Sequence, residues 1–143
     1  MAWRPFSKEE ELKITNAVAE AEDGTSGEIR VHIDRYCKTN PLLKAQNLFH
    51  HLKMDETELR NGVIIYISID DKQVAIYGDK GINEKVEADF WDTTLAKMTE
   101  QFKQGKMVEG ISAGLAEAGL RLKTHFPKAY NDTNELSNEI SYS

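Results

Sequence analysis

Three short stretches concentrate oxygen donors beside glycine: Thr25-Ser26-Gly27-Glu28, Arg60-Asn61-Gly62 and Gly78-Asp79-Lys80-Gly81. Glycine lets a backbone turn sharply or approach a ligand closely. Together the stretches offer the carboxylates of Glu28 and Asp79, the amide of Asn61, the hydroxyl of Ser26 and several main-chain carbonyls. Hard cations such as calcium take about six to eight oxygen ligands of this mixed kind. Glu84, Asp89 and Asp92, further along, could add carboxylates. The same residues also fit ordinary turn and helix-start chemistry, in which glycines end strands and acids complement a helix dipole. Spacing alone leaves both readings open.

Whether the three stretches meet depends on the elements between them. Val63 to Ile69 is an almost unbroken apolar, β-branched run, as expected of a strand buried on both faces. Gln73 to Tyr77 is a second run, and the short polar Asp70-Asp71-Lys72 makes the pair a β-hairpin. Glu28 to Asp34 alternates: Ile29, Val31 and Ile33 share one face, Arg30 and His32 the other. Its more polar face suits a strand nearer a sheet edge. Asn40-Pro41 is a helix start, and Ala45, Leu48, Phe49 and Leu52 continue an apolar stripe to about Met54. Strand, helix, strand predicts a crossover with the first two strands parallel. The hairpin then returns the third strand, so all three glycine-bearing stretches fall at one rim of the sheet. Asp34, Asp70 and Asp71 fall at the opposite rim, where ligands of open parallel sheets commonly bind. A two-acid hairpin turn is also ordinary turn chemistry.

The remaining elements are helical. Ser7-Lys8-Glu9-Glu10 forms a capping-box pattern ahead of a helix from about Lys8 to Glu22. Val86, Phe90, Trp91, Leu95, Met98 and Phe102 predict one helix ending near Gly105, and Val108 to Leu122 another. Gly110 and Gly114 imply close packing of that last helix on the sheet or on the first helix. Lys128 to Ser143 is polar and aperiodic, and is expected to be a flexible tail after a single domain over 1–127. The class is α/β: a small mixed sheet with helices on its faces.

Composition narrows the function. A net charge of −6 argues against nucleic acid and anionic membrane surfaces as partners. The single cysteine, Cys37, forbids an internal disulfide and has no CxxC partner. An acidic start without an apolar segment, and no run long enough to span a bilayer, fit a soluble, cytoplasmic protein. G-x-S-x-G is absent, Gly78-x-x-Gly81 is no dinucleotide or phosphate-loop fingerprint, and adjacent His50 and His51 cannot share a ligand. No nucleophile–base constellation stands out.

Several stretches, in order and at these spacings, resemble the TPM domain family: FSKEEELKITNAVAEAE, TSGEIRVHI, RNGVIIYISIDDKQVAIYGDKGI, DFWD and the closing HFP. The likeness spans about Phe6 to Pro127 and is closest to the short bacterial branch. It implies an α/β/α sandwich around a mixed sheet. It also implies divalent-cation binding, calcium especially (or magnesium), an accessory or protein-interaction role with an unidentified protein partner, and alternatively a metal-assisted acid phosphatase activity. The family's small-residue turn falls on Ser26-Gly27, its asparagine-glycine on Asn61-Gly62, its glycine-rich loop on Gly78 to Gly81, and a following acid on Asp89. The expected metal ligands are therefore Glu28, Asn61, Asp79, Glu84 and Asp89. The loop departs from the family's G-x-G-L-E form by one extra residue.

Overall fold

The structure, a computed structural model, describes residues 3–128 and 136–143. A capping box opens α1 (Lys8–Glu22): Ser7 Oγ accepts from the Glu10 N–H at 3.1 Å, and Glu10 Oε1 accepts from the Ser7 N–H at 2.9 Å. Strand β1 (Glu28–Asp34) follows, then α2 (Pro41–His51), whose first amides bond the Asn40 side chain. A single 3-10 turn at Met54–Glu56 carries the chain into β2 (Gly62–Ser68), and the hairpin returns as β3 (Gln73–Gly78). Then come α3 (Lys80–Asn83), α4 (Asp92–Lys103), α5 (Met107–His125) and β4 (Ser141–Tyr142).

The sheet order is β3-β2-β1-β4. β1 pairs parallel with β2 from Glu28 opposite Gly62 to Asp34 opposite Ser68. β2 pairs antiparallel with β3. Every residue of β2 is buried, as its apolar run requires. Ile29, Val31, Ile33, Val63, Ile65 and Ile67 enter the larger core with α1, α4 and α5. Ile64, Tyr66 and Ala75 face Ala45, Leu48 and Phe49 of α2 in the smaller one. Helices thus cover both faces of a mixed sheet, the expected α/β/α sandwich. No helix among the described residues is long and apolar enough to cross a membrane.

Three expectations change. The helix read from Val86 to Phe102 begins only at Asp92, as α4, and turns connect it to the short α3 that precedes this span. Asp79 caps the one-turn α3, and the N–H groups of Phe90 and Asp92 donate three residues back, to Glu87 and Asp89. The apolar spacing is real, but Val86, Phe90 and Trp91 reach the core from turns. The close packing at Gly110 and Gly114 is on Phe102 and Met98 of α4, not on the sheet or α1. Finally, residues 136–143 are docked. Ser141 and Tyr142 pair parallel with His32 and Ile33, Tyr142 Oη donates to Glu11, and Trp3 packs edge-on against the Tyr142 ring. Residues 129–135 of the expected tail lie outside the described residues.

Helix α5 does approach α1 closely, at Gly119. A Cβ there would lie 2.7 Å from the Ala21 carbonyl oxygen and 2.8 Å from its Cα. Alanine normally gains about 1 kcal/mol over glycine inside a helix. Here backbone must move, and overpacking of about 1–3 kcal/mol outweighs that gain. Gly119→Ala should lower unfolding stability in a urea titration. Gly114→Ala should cost less, because the atoms it meets belong to the flexible Met98 side chain.

Candidate functional site

The parallel register brings the three glycine-bearing stretches to one rim. Glu28 N–H donates to Asn61 O at 3.3 Å, and Asp79 N–H donates to Gly62 O at 2.9 Å. Asn61 Nδ2 donates to Ser26 Oγ at 3.1 Å. Gly81 N–H donates to Arg60 O at 2.9 Å, and a Cβ on Gly81 would lie 2.5 Å from the carbonyl oxygens of Leu59 and Arg60. Only glycine permits that approach. Glu28, Asn61 and Asp79 are all buried at this rim.

Their side chains have different duties. The Asp79 carboxylate takes two bonds from Arg60, Nε to Oδ2 at 2.7 Å and Nη2 to Oδ1 at 3.0 Å. Its Oδ1 also accepts the Lys80 N–H at 2.7 Å and so caps α3. The hydrogen bond to Asp79 raises the Arg60 guanidinium pKa further. Asp79 is therefore a neutralised structural acid. Glu84 and Asp89 are exposed beyond α3. Among the described residues no three His, Cys, Asp or Glu side chains gather as a metal cluster. The rim unites Glu28, Asn61 and Asp79 through the backbone, but it does not collect the carboxylates of Glu28, Asp79, Glu84 and Asp89.

One acid at this rim went unread in the sequence. Glu22 is the last residue of α1, and its Oε2 accepts the Ile29 N–H at 2.7 Å. That amide lies on the side of β1 away from β2, below the reach of β4. Burial pushes the Glu22 pKa up to about 7; the Ile29 amide opposes the shift, the charge of Glu28 adds to it, and Lys128 opposes it. Glu28 in turn accepts the Leu136 N–H at 2.6 Å. The available signal was a helix-terminal glutamate six residues before a strand-opening one, joined by a tight turn.

At the opposite rim the acids already have partners. Tyr66 Oη donates to Asp34 at 2.6 Å, and Ser143 Oγ donates to the same carboxylate. Burial raises the Asp34 pKa, yet these hydroxyls and His32 more than offset it, leaving it below the usual range. Asp71 accepts from Ser68 Oγ and from the Cys37 N–H, and Asp70 pairs with Arg35 at 3.4 Å. His32 is buried, stacked on Tyr66, with its ring nitrogens 2.8 Å from Ser141 Oγ and 2.7 Å from Ser143 Oγ. Burial holds its pKa below the ordinary histidine value despite Asp34.

The two roles of Asp79 separate by substitution. Asp79→Ala removes the cap and the Arg60 partner together and should cost more than the roughly 1 kcal/mol of a lost cap alone. Asp79→Asn keeps a cap acceptor and should recover part of that loss, measured as the urea midpoint.

The TPM domain family model matches residues 5–120. The NMR structure of the BA42 protein from the psychrophilic bacterium Bizionia argentinensis is 45% identical, with 100% of this chain and 99% of that one covered at a TM-score of 0.92. The N-terminal domain of the cg2496 protein from Corynebacterium glutamicum shares the fold at 12% identity, with 93% and 84% covered and a TM-score of 0.67. An N-terminal domain from P. gingivalis does so at 14% identity, with 88% and 83% covered and a TM-score of 0.70. No curated protein matches. The family match over most of the length, with a relative of this identity across the whole of it, means that the chain belongs to the TPM domain family.

Proposed function

We propose that this chain is a divalent-cation-binding domain, calcium preferred over magnesium, with an accessory, protein-interaction role. The observation that carries the reading is the pairing of Glu22 with Glu28. Glu22, which accepts the Ile29 N–H, feels the charge of Glu28 at the rim that also carries Ser26 and Asn61, and burial with like charge drives Glu22 toward holding a proton. A cation there would take the proton's place on Glu22. Glu22, Glu28 and Asn61 are the proposed ligand carriers. Asp79 is committed to Arg60, and Glu84 and Asp89 join only if the segment after α3 moves inward. The phosphatase alternative needs a base beside the cation. The buried imidazole, His32, sits instead at the far end of β1, bonded to Ser141 and Ser143.

A calcium titration followed residue by residue by NMR tests this. Saturable shifts are expected at Glu22, at Ser26 to Ile29 and at Asn61-Gly62, and they should vanish in Glu22→Gln with Glu28→Gln. Shifts confined to Asp34, Asp70 and Asp71 would sink the assignment. Binding to the folded state alone should also stabilise it, by about 2.7 kcal/mol at a free calcium concentration roughly 100 times Kd.

The pH dependence has a definite sign. The Glu22 pKa is raised on folding, so between pH 4.5 and about 7 the folded chain keeps a proton that the unfolded chain has released. The contribution of Glu22 to stability therefore falls as pH rises through that window and is least favourable above it. Glu22→Gln, which keeps an acceptor for Ile29, should be more stable than the parent above about pH 7 and lose that advantage toward pH 4.5. Unfolding curves across that range check it.

A further inference from the structure

Away from the rim acids, one cavity of about 320 Å³ opens beside β1, between the end of α2, the 3-10 turn and the docked segment. Arg30, Lys53, Thr57 and Ser137 line it, with Leu52 and Leu136 as its apolar walls. Two of these residues carry polar atoms that the fold leaves unsatisfied. Arg30 Nε and Thr57 Oγ1 are both buried, and neither has a hydrogen-bond partner among the described residues. Thr57 as a whole is only 4% exposed. Buried donors are nearly always paired, because leaving one unmade forfeits its hydration without return. Both residues line the same cavity, and a modest side-chain rotation would present either donor to a group that enters it.

The donors define that group. A guanidinium Nε–H and a hydroxyl both need acceptors, and the planar guanidinium fork matches the spacing of carboxylate and phosphate oxygens. Lys53 adds a second cationic side chain. The lysine stands in left-handed backbone, φ 59° and ψ 33°, just past the end of α2, a position that favours glycine. Glu56 is the one acid lining the cavity, so the lining carries a net positive charge within a chain of net charge −6. The volume admits a small molecule or a single side-chain group and little more.

We propose that this cavity binds a small oxyanion, a carboxylate or a phosphate group, through Arg30, Thr57 and Lys53. The proposal is independent of cation binding at Glu22 and Glu28.

The test uses the full chain labelled with nitrogen-15, observing the Arg30 Nε–Hε resonance and the Thr57 amide. Sodium phosphate and sodium butyrate are titrated separately, each against sodium chloride at matched ionic strength. A saturable shift of both resonances with either anion is expected, and the stronger anion identifies the chemistry. Thr57→Val removes an unsatisfied hydroxyl while keeping its shape, so it should fold at least as stably as the parent. It should weaken binding about tenfold, as should Arg30→Lys, which keeps the charge but loses the fork. Lys53→Gly should weaken it as well, in a backbone conformation that suits glycine. Linear shifts no larger than those with chloride would overturn the proposal. So would saturable shifts that persist unchanged in Thr57→Val and Arg30→Lys, since they would place the anion elsewhere.

Discussion

Strand β1 sets the constraint that the rest of the molecule answers. Its odd-numbered residues, Ile29, Val31 and Ile33, pack into the larger core. Its even-numbered residues, Glu28, Arg30, His32 and Asp34, form a polar row on the opposite face of a strand that is itself central in the order β3-β2-β1-β4. Polar groups removed from water need partners, or they cost more than the packing returns. The docked segment 136–143 supplies most of them. Leu136 donates its N–H to Glu28, Ser141 and Ser143 engage His32, and Ser143 donates to Asp34. β4 is only two residues long and adds little as a strand. Its main contribution is to make a charged face buriable.

That dependence explains what could be read in advance. The capping box of α1, the Asn40-Pro41 start of α2 and the hairpin around Asp70-Asp71 are local, decided within a few residues. The parallel crossover follows from their order, so the meeting of Ser26-Gly27, Asn61-Gly62 and Gly78 to Gly81 was legible too. β4 was not, because neither its length nor its composition marks a strand, and its strand partners His32 and Ile33 lie 109 residues away. The late start of α4, at Asp92, was hidden for a different reason. Val86, Phe90 and Trp91 do face the core, and periodicity cannot tell a turn that presents them from a helix that does.

The same limit applies more sharply to the site. Sequence position placed Glu28, Asn61 and Asp79 together correctly, but it could not say which carboxylate was already committed. Arg60 adjoins Asn61 in the chain and stands in left-handed backbone at φ 52°. Its guanidinium bonds both oxygens of Asp79, 19 residues on. The pair also ties the segment before β2 to the start of α3. A glycine-rich loop bearing an acid thus reads as ligand chemistry in the sequence and as a helix cap with a counter-ion in the fold.

An acid matters functionally when its environment leaves the charge uncompensated, and by that measure the acids here divide cleanly. Asp34 is held ionised by hydroxyl donors, Glu117 by Lys97 and Arg121, and Asp55 by His50; all three have pKa values below the usual range. Glu22 moves the other way, to about 7, because burial and the neighbouring charge of Glu28 outweigh one backbone donor and Lys128. Stability alone would favour a neutral side chain there, since glutamine could accept the same Ile29 bond without the desolvated charge. A position where an uncharged isostere would serve the fold better is a candidate for a functional charge. Asp79 is the opposite case, because the fold already needs its charge as the partner of Arg60.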